Sequence, residues 1–213
     1  MSEPISLKDA ETKAFTSIYN DGLWDVFLGC FLLMFAIAPL LSASLGDFWS
    51  SAVFLPFWAL VFVVIRLIRK QVVIPRVGIA KFGHARKAKL RRFSILMLVV
   101  NIIALVLGFV AAANVGRISG QPVTPVLGLI FLVGFSIAAY FLDFNRLYVY
   151  GLLAGLSPLV GEWLWVHHKA SHHGFPVTFG AVSAVTVLVG LVLFVRLLRD
   201  NPIPVEGIHS EEA

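Results

Sequence analysis

RLIRKQVVIPRVGIAKFGHARKAKLRR, residues 66–92, holds ten Lys and Arg and no acidic residue. It lies within a longer stretch, from Asp47 to Asp143, whose interior contains no Asp or Glu at all. Long apolar runs flank it on both sides. A basic segment wedged between apolar runs is the pattern of a loop joining two membrane spans, held on the cytoplasmic side by its positive charge.

The rest of the chain agrees with that placement. Hydrophobic residues make up 59% of 213 and charged residues 14%, whereas a soluble domain is nearer a quarter charged. A hydrocarbon core about 30 Å thick requires roughly 20 apolar residues per helical span. Six stretches qualify: 23–44, 51–68, 94–113, 124–143, 147–166 and 176–198. In lipid the backbone satisfies its polar groups within a helix or a closed barrel, and runs such as Ile95–Ala113 lack the alternation of a barrel strand. The expected fold is therefore all-α, a polytopic integral membrane protein with six transmembrane helices over residues 23–198.

Six spans place the N-terminus, the 66–92 loop, the 143–147 turn and the tail at 199–213 on one side. That side collects Lys8, Lys13, the ten loop residues, Arg146, Arg196 and Arg199, leaving only Arg117 and Lys169 opposite. Both termini are thus expected in the cytoplasm, in the plasma (inner) membrane of a prokaryote. Residues 1–22 read as a cytoplasmic interfacial segment. Leu7, Ala10, Ala14, Phe15 and Ile18 recur at helical spacing, with Lys8, Glu11 and Lys13 opposite, so 6–19 is expected as an amphipathic helix. The first apolar run starts only near Leu23, after that charged segment, which predicts a retained span rather than a cleaved leader.

Small residues predict close helix packing. Gly151 and Gly155 in span five, and Gly180 and Ala184 in span six, have small-xxx-small spacing. The spacing suits contacts within one chain or between copies in a homo-oligomer. Pro39, Pro56 and Pro158 fall inside spans, where neighbouring helices re-satisfy freed carbonyls.

Few residues can carry chemistry. Four of the six histidines, His167, His168, His172 and His173, lie within seven residues of one outer loop. If the fifth helix continued through them, His168 and His172 would sit one turn apart, a spacing that suits Zn²⁺ or Cu²⁺. A solvated loop explains the cluster equally simply, because metal sites usually draw ligands from distant segments. Glu162 lies in the last turns of span five, between transport and anchoring roles. On the inner side, Asp143 and Arg146 are expected to pair within a short turn, with Asp25 joining them. Asn101, inside span three, is expected to donate a hydrogen bond to another helix.

Arg86, Lys87, Lys89, Arg91 and Arg92 are candidates for binding anionic lipid or a membrane partner protein, each cation contributing about 1 kcal/mol near an anionic leaflet. Their position beside spans argues against nucleic acid as the partner. No Walker-type glycine loop, H-E-x-x-H, G-x-S-x-G or C-x-x-C occurs, so no catalytic residue and no cofactor is expected. The lone Cys30 is expected to be a small apolar group. Two functions fit: a transporter or channel component for an ion or small solute, or a scaffold whose basic loop binds anionic lipid or a partner.

Overall fold

The computed structural model describes residues 19–78, 84–113 and 123–202. The interfacial helix expected over 6–19, apart from Tyr19, and the tail from residue 203 onward lie outside the described residues. Every regular element described is helical, in six long helices. These are α1 (Leu23–Ala52), α2 (Phe54–Ile68), α3 (His84–Ala113), α4 (Val123–Leu142), α5 (Arg146–His168) and α6 (Phe175–Asp200). Among the described residues five stretches are long and apolar enough to cross a membrane: Leu23–Gly46, Phe48–Val77, Thr124–Leu142, Arg146–His168 and His172–Asp200.

Gly46 sets the first boundary. Its φ of 78° and ψ of 162° interrupt α1, in a backbone region that glycine enters without a Cβ penalty. The chain then runs back through Trp49 and Ser50 into α2 with almost no loop. At the other end of α2 the helix does not stop where the apolar run ends. It widens into a π-helical turn, Arg69–Val73, and continues as Ile74–Val77. Residues 66–77 of the expected 66–92 loop are therefore helix, an extension of the second span. Gly78, with φ 80°, ends it.

Packing follows from small residues. α1 and α6 run antiparallel along a seam in which Gly22 faces Gly190, Gly29 faces Ser183 and Val187, and Ala36 faces Gly180. A Cβ on Gly190 would fall 2.7 Å from both the Gly22 carbonyl oxygen and the Val26 nitrogen. Ser183 Oγ donates across the seam to the Gly29 carbonyl at 2.8 Å. α4 and α5 make a second close crossing, where Gly128 meets Gly155 and Gly151 meets Phe135. The glycines of span five thus serve contacts within the chain. α5 also packs on α6, α2 on α1, and α3 on α4.

The core lies among α1, α4, α5 and α6. Leu32, Ala154 and Phe179 are fully buried there, and the Phe131 ring meets those of Phe35, Phe135 and Phe179. Outward-facing positions carry large apolar groups instead, among them Leu55, Leu105 and Val192. In water so much exposed apolar surface would drive association; around a membrane bundle it is the lipid-facing surface.

Candidate functional site

The polar groups gather at one end of the bundle, where α1, α3 and α5 begin and α2, α4 and α6 end. Its centre is Asp25, in the first turn of α1 and 0% exposed. Arg146, the first residue of α5, grips it in two places: Nε to Oδ1 at 3.1 Å and Nη2 to Oδ2 at 3.0 Å. Tyr150, one turn further along α5, donates its hydroxyl to Asp25 Oδ1 at 2.5 Å. The guanidinium also donates to the Tyr19 carbonyl at 2.6 Å and to Asn20 Oδ1 at 3.4 Å, and lies 4.8 Å from the Phe144 ring centroid. Tyr19 stacks on that same ring. A two-point Arg–carboxylate grip fixes orientation as well as distance, so this cluster clamps the starts of α1 and α5 together.

Asp143 has a partner beyond the one its sequence position suggests. Beside the Asp143–Arg146 turn pair that the sequence suggests, two longer-range pairs form: Asp143 Oδ1 lies 2.8 Å from Lys89 Nζ of α3, and Arg146 holds Asp25. Asp143 sits in a left-handed conformation, φ 51°, which ends α4 and directs its carboxylate to α3. Arg146, already inside α5, reaches α1.

One more buried acid lies at this end of the bundle. Asp21 is 2% exposed; its Oδ1 accepts the Leu23 backbone N–H at 3.0 Å, while Oδ2 lies 4.0 Å from Arg69 Nη2. Oδ2 has no hydrogen-bond partner among the described residues. Burial pushes this carboxyl above its ordinary value of 3.8, while Arg69 and the Leu23 and Trp24 backbone N–H groups pull against it. A buried acid with a raised pKa holds its proton more tightly folded than unfolded, so it lowers stability as pH rises from 3.8 through the raised value. Asp21→Asn removes that loss and still offers an oxygen to Leu23. The variant is expected to unfold at a higher temperature than wild type at neutral pH, the difference shrinking as pH falls toward 4. Thermal unfolding in detergent across that range measures it, and a gap that widens toward acid would refute it.

The four histidines between α5 and α6 do not share a helix face. α5 stops at His168, because Lys169 turns left-handed (φ 52°) and the Ala170 N–H bonds back to the Leu164 carbonyl at 3.3 Å. His172 and His173 are left-handed as well. His167 and His168 lie against Trp163, and His167 Nδ1 is 3.0 Å from the Trp163 carbonyl oxygen. His173 Nδ1 lies 3.0 Å from Glu162 Oε2, its ring against Trp165. Among the described residues no three His, Cys, Asp or Glu side chains form a metal-holding group. Glu162 instead ties the end of α5 to the turn before α6. Gly161 and Gly174 make the same junction tight, since each would bring a Cβ against the other's backbone or its neighbour's.

Asn101 is exposed and donates to the Met97 carbonyl one turn back on its own helix, at 2.8 Å, rather than to a neighbouring helix. It borders an apolar groove of about 300 Å³ between α1, α3 and α4.

Protein-family models, curated proteins and solved structures were all compared with this chain, and none matches. The site itself therefore carries the functional argument. Among the basic candidates Lys87, Arg91 and Arg92 are exposed on α3, whereas Lys89 is engaged by Asp143. The side chain of Arg86 lies outside the described residues.

Proposed function

We propose that this chain is a six-span membrane protein of a prokaryotic plasma membrane, with the ion-paired end facing the cytoplasm, and that it acts as a scaffold whose basic inner face holds anionic lipid or a lipid-bound partner. The observation that carries this reading is the division of labour at that end. Asp25 and Asp143 neutralise Arg146 and Lys89, while Lys87, Arg91 and Arg92 remain exposed around them. The contacts Asp21–Arg69, Lys89–Asp143 and Asp25–Arg146 bring together the starts of α1, α3 and α5 and the ends of α2 and α4, which supports an up-and-down path for these helices. The transport reading finds less support. Its candidate charges Asp25 and Arg146 are locked together at one end, Glu162 is at the other, and cavities of about 200 and 300 Å³ between the helices are walled mainly by apolar side chains.

The test is retention of lipid and partner by a variant in which Arg86, Lys87, Arg91 and Arg92 become Gln. Four cations at about 1 kcal/mol each amount to a loss of several hundredfold or more in affinity for an anionic surface. The variant is expected to float poorly with phosphatidylglycerol-rich partner membranes and to co-purify with less anionic lipid. Unchanged lipid content and unchanged co-purifying protein would sink the scaffold reading.

A further inference from the structure

A groove of about 710 Å³ opens between the start of α1 and the end of α2. Its walls are apolar, with Trp24 and Phe27 from α1 facing Phe62 from α2, and its rim carries Arg66, Arg69 and Lys70. The layout follows from helical spacing: positions 62, 66, 69 and 70 share one face of α2, apolar toward the span and cationic toward its end. From Phe62 to Arg69 the helix rises about 10 Å, at 1.5 Å per residue, against a hydrocarbon half-thickness of about 15 Å. The groove thus covers the depth of the upper part of an acyl chain, and the three cations sit where a phosphate would lie above it.

Charge singles out the occupant. Among the described residues the one carboxylate beside the rim is Asp21, 4.0 Å from Arg69. Among the described residues Arg66 and Lys70, both exposed, have no ion-pair partner. A strongly positive rim over an apolar slot open to the bilayer is complementary to a lipid with an anionic head and is a poor match for a zwitterionic one. We infer that this groove is a binding site for one anionic phospholipid of the inner leaflet, its phosphate held by Arg66, Arg69 and Lys70 and one acyl chain lying along Trp24, Phe27 and Phe62. The inference rests on the lipid-holding reading above but puts the specific site on α2, not on the basic face of α3. Continuation of α2 as helix beyond Ile68 is what keeps Arg69 and Lys70 over the slot.

Native mass spectrometry of the full chain, reconstituted in turn with phosphatidylglycerol and phosphatidylcholine, tests it. Three variants separate the possibilities. Arg66→Gln with Lys70→Gln removes the unpaired cations and leaves the Asp21–Arg69 contact intact. Ile65→Trp fills the slot without changing charge. The α3 variant lacking Arg86, Lys87, Arg91 and Arg92 leaves the groove untouched. The expected result is one tightly held phosphatidylglycerol on wild type and on the α3 variant, which loses only the more weakly held anionic lipid; the tight one is weakened about thirtyfold by the double Gln change and lost with Ile65→Trp. If both groove variants keep the lipid as wild type does while the α3 variant loses it, the groove assignment is overturned and the basic-face reading stands. If wild type retains both lipids equally, the groove assignment and the basic-face reading fall together. Soluble glycerol phosphate, added up to millimolar concentration, should not displace the lipid; displacement would show a phosphate pocket without an acyl-chain site and would also overturn the assignment.

Discussion

Replacing Arg146 by Gln should destabilise the folded protein by about 3–5 kcal/mol, the range seen when one partner of a buried ion pair is removed. An ordinary interhelical hydrogen bond in a membrane contributes only about 0.6 kcal/mol, so the claim needs a reason to exceed it. The reason is Asp25. At 0% exposure its carboxyl would be left with the Tyr150 hydroxyl in place of the two-point guanidinium grip, and the Tyr19 carbonyl would lose a donor too. The converse change, Asp25→Asn, should cost less, because Arg146 is 29% exposed and its guanidinium can turn toward the headgroups. The double variant should be far less damaged than the sum of the two, by about 2 kcal/mol or more in unfolding titrations with a denaturing detergent. Strict additivity would mean that the pair is not one unit.

The second large effect belongs to a residue with no side chain. Gly22→Ala meets two obstacles together: its φ of 76° lies in the left-handed region, and the new Cβ would press on the Gly190 carbonyl and the Phe194 nitrogen, both backbone. Backbone cannot rotate aside as a flexible side chain can, so α1 must separate from α6. Overpacking alone costs about 1–3 kcal/mol, and the strained φ adds about 1–2. The variant is expected to lose several kcal/mol and to accumulate poorly in the membrane. Gly128→Ala should follow it at the overpacking value, since its Cβ would meet the Gly155 carbonyl. Gly134→Ala is the control: nothing lies within 4 Å of its Cβ, and it should stay within about 1 kcal/mol of wild type. Equal tolerance of all three would contradict the close seams.

Helix positions were legible because the hydrocarbon thickness imposes them. The expected spans 147–166 and 176–198 became Arg146–His168 and Phe175–Asp200, longer by a turn or less. Where apolarity ceases to be the deciding quantity, the reading failed. α2 runs past its apolar run because the backbone hydrogen bonds of a helix remain favourable among Arg69, Lys70 and Gln71, and hydropathy says nothing of that. Asp25 was expected beside Arg146 because both stand at the same end of their spans, and its bonds to Arg146 cross 121 residues of sequence. Tyr150 was missed although it stands one turn beyond Arg146, on the same face. The seam of α1 was also on the page: Gly22, Gly29 and Ala36 recur every seven residues, as Ser183 and Gly190 do in α6.

That seam joins the first membrane helix to the last. Gly22 leaves the ribosome long before Gly190 does, and at about 5–20 residues per second the wait is roughly ten to thirty seconds. Throughout that interval the grooved face of α1 has no protein to close it, and acyl chains must fill the hollows at Gly22, Gly29 and Ala36. Completion of the bundle is thus an exchange, in which α6 expels lipid from a helix already resident in the bilayer. A chain cut short before residue 175 would keep most of its spans and never make that exchange.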